Sequence, residues 1–94
     1  MKIEKADVVI SLNGRDEGKR FLVIGTQEDY SLLADGKSRK FDKPKRKKNK
    51  HVKLEDKADD HIAAKLSAGE KLTNNEIRRA LTTNAATLGE KGGM

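Results

Sequence analysis

The chain has 94 residues, 34% of them hydrophobic, with one tyrosine, two phenylalanines and no tryptophan. That is enough for one small domain, which would bury only about 60% of the surface of its unfolded chain. The absence of cysteine excludes disulfides, thiolate metal sites and a cysteine nucleophile. No apolar stretch exceeds four residues, far short of the ~20 that a membrane helix needs.

The net charge of +6 is unevenly placed. Residues 59–94 carry five acidic and five basic side chains and are neutral, so the whole excess lies in residues 1–58. Within them, residues 37–53 hold ten Lys or Arg against the single Asp42. Charge this dense repels itself unless a polyanion neutralises it, and phosphate backbones do so with release of counterions. Met1 to Lys5 has none of the apolar run of a secretory leader. A cytoplasmic protein is expected.

Residues 6–12, rich in β-branched side chains, predict a first strand ending at Asn13-Gly14. The turn continues to Gly18, and its two glycines can each supply a positive φ. Residues 20–26 predict a second strand, followed by the polar turn Gln27-Glu28-Asp29. Residues 30–34 predict a third, with Phe21 and Tyr30 expected in the core. Asp35-Gly36 is a hairpin-turn dipeptide, so residues 37–41 are expected to form a fourth strand that Pro44 ends. The cationic stretch near 43–50 is expected to leave the body as a loop or arm, before a short closing strand around His51-Val52-Lys53-Leu54. Such short strands and regular turns are those of an all-β barrel or sandwich.

The pattern changes after residue 55. Asp59 or Asp60 can cap a helix over 61–66 that Gly69 stops. Thr73-Asn74-Asn75-Glu76 is a capping box, and Ile77, Ala80 and Leu81 then fall on one helical face, with Arg78 and Arg79 outward. Leu72, Ile77 and Leu81 are expected to pack on Ile62 and Leu66. The organisation read from the chain is a β-barrel over 1–55, a helical hairpin over 56–88 and a disordered tail over 89–94.

Asp7 to Ile24 resembles the KOW motif, a strand, a glycine-containing loop and a second strand. The matching residues are Val8 and Ile10, Gly14, Gly18-Lys19 and Val23. Many KOW motifs carry glycine where this chain has Ala6 and Phe21. The order of Asp35-Gly36, Arg39, Lys43-Pro44-Lys45 and Lys50-His51 is similar to the eukaryal and archaeal large-subunit ribosomal proteins of the fourteen-e and six-e groups, and to their bacterial stand-alone relatives. The resemblance covers roughly residues 5–54. It implies a small SH3-like barrel that binds structured RNA, typically ribosomal RNA, so the chain is expected to be mainly β, with the short helical hairpin following the barrel.

The cations themselves agree with a phosphate-binding surface. Arg15, Lys19 and Arg20 flank the glycine loop of Gly14 and Gly18. Lys37, Arg39, Lys40, Lys43, Lys45, Arg46, Lys47, Lys48, Lys50 and His51 would supply a second contact. Arginine binds phosphate bidentately and lysine acts as a mobile point charge. With so few aromatics, shape and phosphate recognition of folded RNA fits better than base stacking. A protein–protein adaptor contacting a transcription or translation complex is the alternative.

No catalytic constellation is legible. His51 and His61 lack a third ligand for zinc. The pairs Asp16-Glu17, Glu28-Asp29 and Asp59-Asp60 have the character of solvated turns. The serines have no evident histidine base. The expectation is a non-enzymatic RNA-binding protein without cofactor, metal or small-molecule substrate, not bound to membrane and monomeric when free.

Overall fold

The computed structural model describes residues 2–82. Five strands follow one another as β1 (Asp7–Ser11), β2 (Arg20–Gln27), β3 (Tyr30–Ala34), β4 (Lys45–Lys48) and β5 (Val52–Lys57). Two helices come after them, α1 (Asp60–Ser67) and α2 over residues 74–82. The strands pair antiparallel in the order β4-β3-β2-β1-β5. This mainly β architecture agrees with the sequence reading. A closed barrel does not: β4 and β5 are the free edges of an open sheet.

Alternation along the strands sorts the side chains onto two faces. On one lie Val9, Phe21, Val23, Leu33 and Val52, which pack together with Ile3. On the other, Val8, Leu22 and Ala34 meet Ile62, Leu66, Leu72, Ile77 and Ala80 of the helical hairpin. Leu72 and Ile77 belong to the same core as Ile62, Leu66 and the sheet residues, and the partly buried Leu81 packs against that core. The sheet is curled around the first face. Lys47 on β4 reaches Ser11 on β1, with β3 and β2 between them in the hydrogen-bonded order.

The fourth strand differs from the expectation. Residues 37–41 are not a strand. The Asp35 carboxylate accepts from the backbone N–H of Lys37 and Arg39, and Arg39 returns its carbonyl to the N–H of Asp35 and Gly36. This folds residues 35–44 into a side-chain-capped loop. The strand that pairs with β3 is Lys45–Lys48, the segment expected to be a free arm. Its lysine and arginine stems alternate across the sheet, and a charged edge strand resists pairing with other chains. A turn of 3₁₀ helix (Asn49–His51) then leads into β5, which starts at Val52 and runs on to Lys57.

In α1, Asp59 occupies the N-cap position and its carbonyl accepts from Ala63. Gly69, at φ +78°, lets Gly69 N–H and Glu70 N–H cap the carbonyls of Leu66 and Lys65. The capping box forms as expected. Glu76 N–H donates to Thr73 Oγ1 at 3.0 Å and Thr73 N–H to Glu76 Oε1 at 2.9 Å. Arg78 is not outward. It is half-buried and donates to the Gly36 carbonyl and to Asn75 Oδ1, both at 2.7 Å. The last part of the expected hairpin, residues 83–88, and the tail expected at 89–94 lie outside the described residues.

Lys65 donates to the other oxygen of Glu76 at 2.8 Å. That ammonium, with the Thr73 N–H, holds the Glu76 carboxyl down at about 2. A carboxylate whose pKa is depressed by folding stabilises the fold above its unfolded value near 4.5 and loses that contribution as pH falls toward 2. Glu76→Gln is therefore expected to lower the melting temperature at pH 6. The difference from the parent protein should shrink between pH 4.5 and 2. Thermal melts of the two proteins across that range check it.

Candidate nucleic-acid interface

The loop between β1 and β2 is built on Gly14 (φ +80°) and Gly18 (φ +85°), conformations other residues adopt at a cost. Gly18 N–H donates to the Ser11 carbonyl, Glu17 N–H to Gly14 and Lys19 N–H to Asp16. Asp16 points inward and pairs with Lys45 at 2.5 Å, and Lys19 Nζ lies 3.8 Å from it. The Lys45 ammonium keeps the Asp16 carboxyl below its ordinary range, against the opposing effect of burial. Lys47 is only 8% exposed. Its ammonium donates to Ser11 Oγ at 2.7 Å and to the Asn13 carbonyl at 3.0 Å. Lys45 and Lys47, both expected at an RNA surface, instead anchor this loop from beneath.

Arg20 is a third correction. It lies on the helical side of the sheet, pairs with Glu55 at 2.5 Å and donates to the Leu81 carbonyl at 2.7 Å. It ties α2 to the sheet. Its position at the start of β2 gave the same signal as a loop cation, and only the packing of α2 distinguishes the two.

The remaining cations stay outside. Arg15, Lys19, Lys37, Lys40, Lys43, Arg46, Lys48, Lys50 and Lys53 are exposed, and Arg39 and His51 are half-buried. Apart from Lys19, none of the Lys and Arg side chains in this group forms an ion pair with a carboxylate among the described residues. They fall into three stretches: Arg15 and Lys19 on the glycine loop, Lys37 to Lys43 on the β3–β4 loop, and Arg46 to Lys53 through β4 and its turn into β5. The β3–β4 loop is held by α2. Phe41 N–H donates to Asn74 Oδ1 at 3.0 Å, and Arg78 takes the Gly36 carbonyl.

Sequence reasoning missed Tyr30. It is absent from both cores and half-exposed, with the Arg46 guanidinium 3.9 Å from its ring centroid and the Lys48 ammonium 5.9 Å away. Phe21, by contrast, is in the core as expected. Tyr30, Asp29, Lys48, Asn49 and Lys50 line an open hollow of about 530 Å³. The register of β4 puts Lys48 opposite Tyr30, so the cluster became visible only once the arm proved to be a strand.

Among the described residues no group of three or more His, Cys, Asp or Glu side chains is placed to hold a metal ion. Nor does a helix among them have the length and apolar character to cross a membrane. Compared with family models and with curated proteins, the chain matches none.

Proposed function

We propose that this protein is a non-enzymatic RNA-binding protein that recognises folded RNA, ribosomal RNA or a ribosomal particle in the cytoplasm, and that its curled sheet is an SH3-like domain of the KOW type. The observation that carries this reading is the set of exposed Lys and Arg side chains, Arg15, Lys37, Lys40, Lys43, Arg46, Lys48, Lys50 and Lys53, without carboxylate partners among the described residues. Isolated cations of one sign, held on strands and anchored loops, match the spaced phosphates of a folded polyanion. The KOW reading gains support from two backbone features. Gly14 and Gly18 both use left-handed φ, and Ala6 sits at φ +73° where many KOW motifs carry glycine. An apolar docking partner is less well served, because Leu12 is the one large hydrophobic side chain exposed among the described residues.

Titration of a ribosomal RNA fragment by fluorescence anisotropy at increasing salt tests the proposal. If Z phosphates are neutralised, log K falls with a slope of about −0.7Z to −0.9Z against log salt. The variant Arg46→Gln/Lys48→Gln/Lys50→Gln/Lys53→Gln keeps Lys45 and Lys47, which hold the fold. It is expected to retain its circular dichroism spectrum, to lose roughly a hundredfold in affinity, and to lower the salt slope by about one unit for each phosphate contact removed. Affinity indifferent to salt and to these four changes would rule the proposal out.

A further inference from the structure

We propose that the hollow beside Tyr30 is a subsite for one unpaired guanosine nucleotide of the bound RNA, an inference that rests on the RNA-binding reading above. Its walls carry the three functions that such a nucleotide needs. Tyr30 presents a ring at the surface, and Arg46 lies against that ring 3.9 Å from its centroid, fixing its orientation. Base–aromatic stacking accepts any base, since every base has a π-face. Lys48 and Lys50 supply cations for the flanking phosphates, and neither pairs with a carboxylate among the described residues.

Selectivity falls to Asp29. An ionised carboxylate offers two acceptor oxygens and no donor. Of the four bases, guanine alone places two adjacent donors, N1–H and N2–H, on its Watson–Crick edge. Adenine and cytosine set a donor beside an acceptor, and uracil has a single N–H between two carbonyls. Asn49 is partly engaged already. Its Oδ1 is engaged by Ser31 Oγ, and its N–H donates to the Asp29 carbonyl at 2.8 Å. That bond also fixes the Asp29 backbone at the rim. The hollow is open, with a volume of about 530 Å³, so a flipped-out base can enter without displacing either core.

A duplex of fixed sequence tests this, prepared as a fully paired hairpin and as four hairpins with one bulged G, A, C or U. Because Tyr30 is the only tyrosine and there is no tryptophan, the intrinsic emission reports on this site alone. The bulged-G hairpin should bind about tenfold more tightly than the paired one and quench the Tyr30 emission, with the other bulges intermediate. Asp29→Asn should erase the preference for G, bringing the bulged-G hairpin to the level of the other three bulges. Tyr30→Leu should remove the advantage of every bulge. If paired and bulged hairpins bind alike, with equal emission, the subsite does not exist while the RNA-binding reading stands. If all bulges are equivalent, the assignment of guanosine is wrong. If no hairpin binds at all, both the subsite and the reading beneath it fail.

Discussion

Gly36→Ala is expected to destabilise the protein by about 2–5 kcal/mol, a large share of the ~5–15 kcal/mol that small domains possess. Two costs combine. Gly36 has φ +80°, where a residue with a Cβ pays about 1–2 kcal/mol. The new methyl would also stand 2.4 Å from the Asn74 carbonyl oxygen and 2.7 Å from Arg78 Cγ, closer than real Cβ contacts permit. Overpacking of this kind costs about 1–3 kcal/mol. Gly18→Ala separates the two effects. Its φ is +85°, yet nothing lies within 4 Å of the added carbon, so only the backbone cost of about 1–2 kcal/mol is expected. Urea titrations of both variants provide the comparison. Equal losses would mean that the β3–β4 loop is not pressed against α2.

Ile77→Ala should be as damaging, at about 2–5 kcal/mol. Ile77 is fully buried where α2 meets Val8, Leu22 and Ala34 of the sheet and Ile62 and Leu66 of α1. Truncation removes three carbons from that junction and leaves a cavity which the strands, held by their ladders, cannot collapse to fill. Leu12→Ala, at a side chain 47% exposed, should change stability by no more than about 0.5 kcal/mol. A second consequence follows from the hydrogen bonds of α2. Asn74 and Arg78 hold Phe41 and Gly36 of the loop that carries Lys37, Arg39, Lys40 and Lys43. Loosening α2 should therefore expose the Phe41 amide to hydrogen exchange more than the amides shared by β1 and β2. Equal loss of protection at both places would show that the loop has no separate dependence on the helix.

Gly36 and Ile77 belong to a single physical arrangement. The basic loop between β3 and β4 has little apolar content of its own to fix it, since Phe41 is its one large hydrophobic side chain and is only partly buried. Ten residues of loop lose backbone entropy of about 1–2 kcal/mol each on ordering. The helix offsets part of that cost through hydrogen bonds to a buried glycine carbonyl and a loop amide. The proposed RNA surface is thus partly preorganised by a helical hairpin that presents few cations itself.

Much of the architecture was legible in the sequence because it depended on near neighbours. The apolar β-branched runs at Val8–Ile10 and Phe21–Ile24 mark strands whatever they pair with. Asn13-Gly14 and Gly18 mark a turn, and Thr73 with Glu76 marks a helix start, because these motifs satisfy backbone groups three or four residues away. What the tertiary structure alone decided was the part the sequence disguises by charge. Lys45–Lys48 has poor strand character by composition, but an edge of the curled sheet accepts it. Once it is a strand, its period of two turns Lys45 and Lys47 toward Asp16 and Ser11 and turns Arg46 and Lys48 toward Tyr30. Four consecutive cations look alike in a list of residues. Which of them bind the fold and which stay exposed depends on residues some 16 to 36 positions away, and no local pattern carries that information.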